Sequence, residues 1–364
     1  FSEVGGITLT FYQELQLNQA GSKKLIRESN STKEKWYHEG VFLFKILLTV
    51  AFCFLFVTAV SMIFGNENSV VGVAILLALL AFRKVNLGYD VKQSSYVMFG
   101  MFLVLMIGPH FANQAGMYGG TLVNFLCMFV MTVFGCYEVR FFNHSTFLLS
   151  YLLLYGNDVT GDLYIKRVIA LAIGGFWIAL CLYRNHRHIN HTDRLKDVIS
   201  AVSVNASETR WHIKVSLGVS LAMFLGQLIG LPRVMWIGIA AMSVIHPSDA
   251  VRKKSHMFFR FFGNVLGCVG FFILIKILPE SMYGMIGIIG GICVGFSATY
   301  GWQTIFNSFG ALGLAMGIYG MNTAMLLRIV NNGFAVAFVF LYVPLFDKVM
   351  EIFTRQKVSK ELLS

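Results

Sequence analysis

Charge is scarce in this sequence. Asp, Glu, Lys and Arg make up 13% of its 364 residues, against 56% hydrophobic residues, where a soluble domain carries about 25% charge. The apolar residues come in long blocks separated by short polar loops. That pattern excludes an ordinary soluble domain and reads as an all-α, polytopic membrane protein. Catalytic signatures are also missing. The chain has no P-loop, no Gly-x-Ser-x-Gly, no His-Glu-x-x-His and no usefully spaced carboxylate pair inside an apolar block. No enzyme, no self-contained ATP-driven pump and no cofactor is therefore expected. The six cysteines (Cys53, Cys127, Cys136, Cys181, Cys268 and Cys293) all lie in apolar blocks without Cys-x-x-Cys spacing. They read as packing or lipid-facing residues. Residues 1–41 are mostly polar, so no cleavable signal peptide is expected there.

The net charge is +11, and its distribution argues against a nucleic-acid partner. About twelve apolar segments can be drawn: roughly 42–64, 69–82, 94–110, 118–137, 144–156, 163–183, 212–230, 234–246, 256–278, 282–299, 303–319 and 325–346. Alternate loops are then basic. "FRKVNLGYDVK", "YRNHRHINHTDRLK" and "DAVRKK" fall on one side; "GNENS", "HFANQAGMY" and "GNDVTGD" fall on the other. The positive-inside rule predicts cytoplasmic termini, with the basic loops meeting anionic lipid heads. The segments 69–82 and 234–246 are short for a straight span. They are read as crossing helices shielded from lipid, with re-entrant hairpins as the alternative.

The two halves resemble each other. "LLLYGND" (152–158) is similar to "MGIYGMN" (316–322), and "LYIKRVIALAIGGFWIALCLY" (163–183) to "AMLLRIVNNGFAVAFVFLY" (324–342). This predicts two parallel six-helix repeats related by a pseudo-twofold axis along the membrane normal. The expected organisation is a cytoplasmic segment 1–41, a first repeat 42–183, a cytoplasmic linker 184–210, a second repeat 211–346 and a cytoplasmic tail 347–364. Within the linker, "RLKDVISAVSVNASETRW" reads as an amphipathic helix. His186, His188 and His191 cluster there, but no thiol or carboxylate set completes a metal site.

Polar residues inside the apolar blocks are the candidate site. Arg167 and Arg328 begin equivalent spans, and a guanidinium suits carboxylates because it offers two parallel hydrogen bonds. Snorkelling to lipid heads is the alternative reading. Lys166 lies beside Arg167, and Asn331 and Asn332 lie one turn beyond Arg328. Asp158 and Asp162 pair with Lys166 or Arg167, or else serve as proton-coupling carboxylates. Gln303 and Asn307, at i and i+4, line a pore or bond between helices. Trp236 stacks on an aromatic substrate or packs in the core. Arg260 meets phosphate heads, binds an anion or ties its loop to the bundle. Gly263 and Gly267 form a Gly-x-x-x-Gly step for close helix packing, and Asn264 donates across it.

From "MWIGIAAMSVIHPSDAVRKKSHMFFRFFGNVLGC" through "RIVNNGFAVAFVF", the chain resembles the fusaric acid resistance protein-like family. That family includes aromatic acid exporters and is similar to plant aluminium-activated malate transporters. Trp236, Pro247, Arg260, Gly263 and Gly267 match its pattern, and Asn264 replaces the usual Thr. Arg328 with Gly333 and Arg167 with Gly174 resemble a later arginine–glycine feature. The first half departs at the main motif, with Val97, Met101 and Val104 where Arg260, Asn264 and Gly267 align. The resemblance implies a multi-pass bacterial plasma-membrane exporter of organic anions, aromatic carboxylates first, driven by proton-motive force. A passive anion channel and a membrane scaffold or lipid-handling protein are the alternatives. Expected partners are anionic lipids and a small organic anion; a homo-oligomer is compatible with the sequence.

Overall fold

The computed structural model describes residues 2–4, 7–141, 143–245 and 250–361. A short antiparallel pair, β1 (Ser2–Val4) and β2 (Ile7–Leu9), comes first. Helices follow: α1 (Phe11–Gln16), α2 (Gln19–Arg27), α3 (Thr32–Phe64), α4 (Ser69–Phe82), α5 (Val91–Gln114), α6 (Gly116–Gly135), α7 (His144–Tyr155) and α8 (Asp162–His186). Then come α9 (Leu195–Ser200), α10 (Ser207–Leu228), α11 (Val234–Val244), α12 (Ala250–Ile277), α13 (Ile286–Phe296), α14 (Tyr300–Tyr319) and α15 (Met321–Glu361). Each apolar segment read from the sequence overlaps an α-helix among the described residues, although 282–299 begins in a 3-10 turn over Glu280–Met285 and leaves 297–299 outside α13.

Among the described residues, six helices are long and apolar enough to cross a membrane: Thr32–Phe64, Val91–Gln114, Gly116–Gly135, Asp162–His186, Lys254–Ile277 and Met321–Phe353. Their outward faces are apolar. On α8, Arg167, Leu171, Gly174, Gly175, Ile178 and Leu182 are buried, while Ile165, Ile169, Ile173, Phe176 and Trp177 are exposed. The burial follows the helical period, but the large apolar side chains face outward, as a lipid solvent requires.

The chain forms two compact units. One comprises Phe56–Met257 and Val330–Ser364, the other Phe1–Leu55 and Phe258–Ile329. In the larger unit α5 packs against α6, α7 and α8, α4 lies against α7 and α8, α10 lies on α6, and α11 joins α10 and α7. Two adjacent glycines let α8 be approached from two sides. A Cβ on Gly174 would come within 2.4 Å of Ile75 on α4, and one on Gly175 within 2.7 Å of Phe102 on α5.

Hydrogen bonds sort the connections of this unit into two ends. At one end Asn68 Nδ2 donates to the Leu163 carbonyl (3.0 Å) and Asn113 Nδ2 to the Tyr155 carbonyl (3.0 Å). These bonds join the turns after α3, α5 and α7. At the other end Asn185 Nδ2 donates to the Arg83 carbonyl, Tyr137 Oη to Asp193 Oδ2, and the Asp90 amide to the Asp193 carbonyl. This end gathers Arg83, Lys84, Arg184, Arg187, Arg194 and Lys196. The short α4 therefore runs from one end of α8 to the other and is no hairpin. Its 14 residues rise only ~21 Å, and it is tolerated because most of its side chains are buried.

The linker differs from its expected form. It contains the six-residue α9 and then a break before α10. In the break the Ser203 amide donates to Thr209 Oγ1 and the Asn205 amide to Ser203 Oγ. These local bonds compete with the helical ladder and end it.

In the smaller unit, α1 and α2 lie on the start of α3. Buried His38 Nδ1 sits 2.8 Å from Glu14 Oε1, and Lys45 Nζ donates to the Leu17 carbonyl and to Ser22 Oγ. Thus α3 begins earlier than position 42 because its first turns pack against the N-terminal segment. Further along, α13 packs on α14, and Gly295 accommodates Ile46.

Single cysteines placed at Asn157 and His188 in a cysteine-free background are expected to react with an impermeant thiol reagent from opposite sides of the membrane. Labelling of both from one side would contradict the assignment of the two ends.

Candidate functional site

Buried arginines organise the polar chemistry. In the larger unit, Gly161 takes a left-handed φ of 60° and the chain turns into α8. One and a half turns later Arg167 is 2% exposed. Its Nε donates to Asn68 Oδ1 (2.9 Å) and its Nη2 to the Glu67 carbonyl (3.2 Å). Asn68 is itself fully engaged, because its Nδ2 also donates to the carbonyls of Phe64 and Leu163, each at 3.0 Å. An unpaired guanidinium would cost several kcal/mol in such a setting; here the turn between α3 and α4 supplies the oxygens.

Beside this cluster, Asp158 pairs with His110. His110 Nδ1 lies 3.0 and 3.1 Å from the two carboxylate oxygens. The partners expected from the sequence were Lys166 or Arg167. Lys166 and Asp162 are exposed, and Arg167 is close enough to Asp158 for their charges to interact. The His110 ring stacks on Tyr164 with 3.8 Å between centroids, and Gln114 Nε2 lies 2.8 Å from His110 Nε2. His110 was missed in the sequence because "HFANQAGMY" read as a loop, whereas α5 continues to Gln114. The i, i+4 spacing of His110 and Gln114 was the available signal.

Asn331 and Trp236 gather around one turn of the same unit. Arg233 adopts a left-handed backbone with φ of 56°, a conformation that costs a non-glycine residue energy. Asn331 Nδ2 donates to the Pro232 carbonyl (2.9 Å), and the Arg233 guanidinium lies 5.5 Å from the centre of the buried Trp236 ring. These contacts hold the turn into α11. Asn332 is also buried.

In the smaller unit the Gly-x-x-x-Gly step meets α14. A Cβ on Gly267 would lie 2.6 Å from the Ile305 carbonyl oxygen, and one on Gly263 would lie 3.1 Å from Thr304 Cγ2. Between them Asn264 accepts from Ser308 Oγ at 3.1 Å, while its Nδ2 donates to the Arg260 carbonyl. Arg260 and Arg328 are 7% and 5% exposed, and their positive charges act on each other. Arg167 and Arg328 belong to different units. Gln303 Nε2 donates to the Ser297 carbonyl (3.1 Å), closing the turn into α14, and Asn307 is exposed.

Pro247 lies outside the described residues. His186 is buried with Nδ1 3.1 Å from the Leu182 carbonyl oxygen, and His188 is exposed. Among the described residues no group of three metal-ligating side chains converges.

Two outcomes follow. Asn68→Ala strips the buried Arg167 of a charge-assisted bond and is expected to cost ~1.5–3 kcal/mol, read as a lower melting temperature in detergent. Gly267→Leu drives a side chain into α14 and is expected to cost ~1–3 kcal/mol or more. Gly313→Leu on α14, where a Cβ meets nothing within 4 Å, serves as the control.

Residues 221–342, about a third of the chain, match the fusaric acid resistance protein-like family. No curated protein and no solved structure gives a significant match. The matched stretch contains Trp236, Arg260, Gly263, Asn264, Gly267, Arg328, Asn331 and Asn332, which includes the glycine step between α12 and α14. Residues 221–342, from within α10 to within α15, are thus similar to the fusaric acid resistance protein-like family.

Proposed function

We propose that the protein moves organic anions across a membrane, with aromatic carboxylates as the favoured class, exports them from the cytoplasm and uses the proton gradient to do so. The observation that carries this reading is the buried pair Arg260 and Arg328, two positive charges within electrostatic reach of each other. Like charges repel most strongly where the dielectric is low. A bound anion offsets that positive charge, and a planar guanidinium can hold a carboxylate by two hydrogen bonds. The α-helical segments 258–277, 286–296, 300–319 and 321–329 carry no Asp or Glu; their charged side chains are Arg260, Lys276 and Arg328. In this reading the two halves are parallel repeats about an axis along the membrane normal, and the basic loop end faces the cytoplasm. Arg167, in the larger unit, already has Nε and Nη2 engaged.

The test is flux of benzoate and malate in liposomes containing the purified protein, with and without a pH gradient. Arg328→Gln is expected to lower benzoate flux by about tenfold or more, the scale of one lost charged contact of ~1.5–3 kcal/mol. Arg328→Lys is expected to restore part of it, because charge survives while the two-bond fork is lost. Unchanged flux in Arg260→Gln/Arg328→Gln would refute the anion site. Flux indifferent to the pH gradient would favour a passive channel.

A further inference from the structure

We propose that His110 and Asp158 form a proton-binding site that is loaded and discharged during transport. The proposal rests on the transport reading above and adds the residues that would take up the proton.

The geometry has three parts. Asp158 orients the imidazole from one side through Nδ1, at 3.0 and 3.1 Å. Gln114 faces the other nitrogen, Nε2, at 2.8 Å. Tyr164 covers one face of the ring, 3.8 Å between centroids and 21° from parallel. The side chains of His110 and Asp158 are 15% and 21% exposed, so water can reach the pair while protein encloses most of it.

This arrangement satisfies both protonation states. In the neutral ring Nδ1–H donates to the carboxylate, and Nε2 accepts from the Gln114 amide nitrogen. A proton added at Nε2 turns that acceptor into a donor. A half-turn of the Gln114 amide then presents Oε1 in place of Nε2, with no movement of the backbone. Only a group with both donor and acceptor, such as an amide, can follow the change in this way.

The charges nearby are few. Asp158 comes from the turn before α8, and Arg167 and Tyr164 come from α8. Tyr164 Oη is committed as a donor to the Met106 carbonyl. The sequence of α6 contains no charged side chain, and α7 carries only His144, at its opposite end. Glu67, Asp162 and Lys166 are exposed. With the ring neutral, Asp158 and Arg167 cancel; with the ring protonated, the cluster gains one positive charge. That charge change gives the pair two states between which a transport cycle can alternate.

A purely mechanical role would leave the pair redundant. Three residues along α5, Asn113 already bonds to the Tyr155 carbonyl at 3.0 Å and joins α5 to the end of α7. The joints at Asn68 and Asn113 use amides, which do not titrate. The joint at His110 uses an imidazole, the side chain that ordinarily changes charge between about pH 5 and 8.

The experiment compares the parent protein with His110→Gln and Asp158→Asn in liposomes. One arm measures gradient-free exchange of labelled benzoate, and the other measures uphill benzoate accumulation driven by a pH gradient. A third arm follows the His110 imidazole by NMR in detergent across pH 5 to 8. The expected result is that accumulation falls at least about tenfold further than exchange in both variants. In the parent, the His110 resonance is expected to titrate within that range. Equal loss of exchange and accumulation, or parental accumulation in His110→Gln, would overturn the proposal. So would an imidazole that keeps one charge state throughout. Absence of benzoate exchange in the parent would instead refute the organic-anion reading, and the imidazole titration would still decide the proton site.

Discussion

A guanidinium inside an apolar helix bundle must be met by oxygen, and the larger unit is arranged around that requirement. Arg167 is served by the Asn68 side chain and the Glu67 carbonyl, so the turn between α3 and α4 is fixed against the first turns of α8. Asn68 then reaches the Leu163 carbonyl, and the neighbouring turns are drawn to the same end by Asn113 and by the His110–Asp158 pair. The short α4 depends on this anchoring. It cannot reach across a hydrocarbon core unaided, and it is carried by its contacts with α7 and α8. Apolar packing fills the space between the helices, but polar contacts fix which turns meet.

Helix positions were largely legible in the sequence. The segment 69–82 coincides with α4, and 144–156 with α7 to within a residue. In both cases a chain of apolar residues is cut off sharply by Asn, Gly or Arg. The close contact at Gly263 and Gly267 was also legible, because its cause is local: two small residues one turn apart on one helix. Partner choice was not legible. Asn68 lies 99 residues from Arg167, and His110 lies 48 from Asp158. No periodicity links residues that far apart in the chain, so Asp158 read as a partner of its neighbours on α8. Asn331 read as part of a polar path, and its bond to the Pro232 carbonyl, 99 residues away, left no sign in the sequence. The left-handed backbone of Arg233, which needs that support, leaves no mark in composition.

The two units bear different kinds of charge. In the smaller unit two arginines, Arg260 and Arg328, are buried. The larger unit instead places Asp158 within charge reach of Arg167 and against the His110 imidazole. The family match covers the stretch that contains Arg260 and Arg328 and leaves out His110, Asp158 and Arg167. The His110–Asp158 pair is accordingly a feature that only the three-dimensional arrangement of this chain brings to light.

The spacing between Asn68 and Arg167 also bears on how the chain enters a bilayer. Residues emerge from the ribosome at about 5–20 per second, so the turn that holds Asn68 is made roughly 5–20 seconds before Arg167. The oxygens are waiting when the arginine arrives. A helix with a buried cation near its start is a poor candidate for insertion by itself, and here it need not insert alone. Exchanging the order of the two segments would expose the guanidinium to lipid during synthesis, even though the finished contacts were the same.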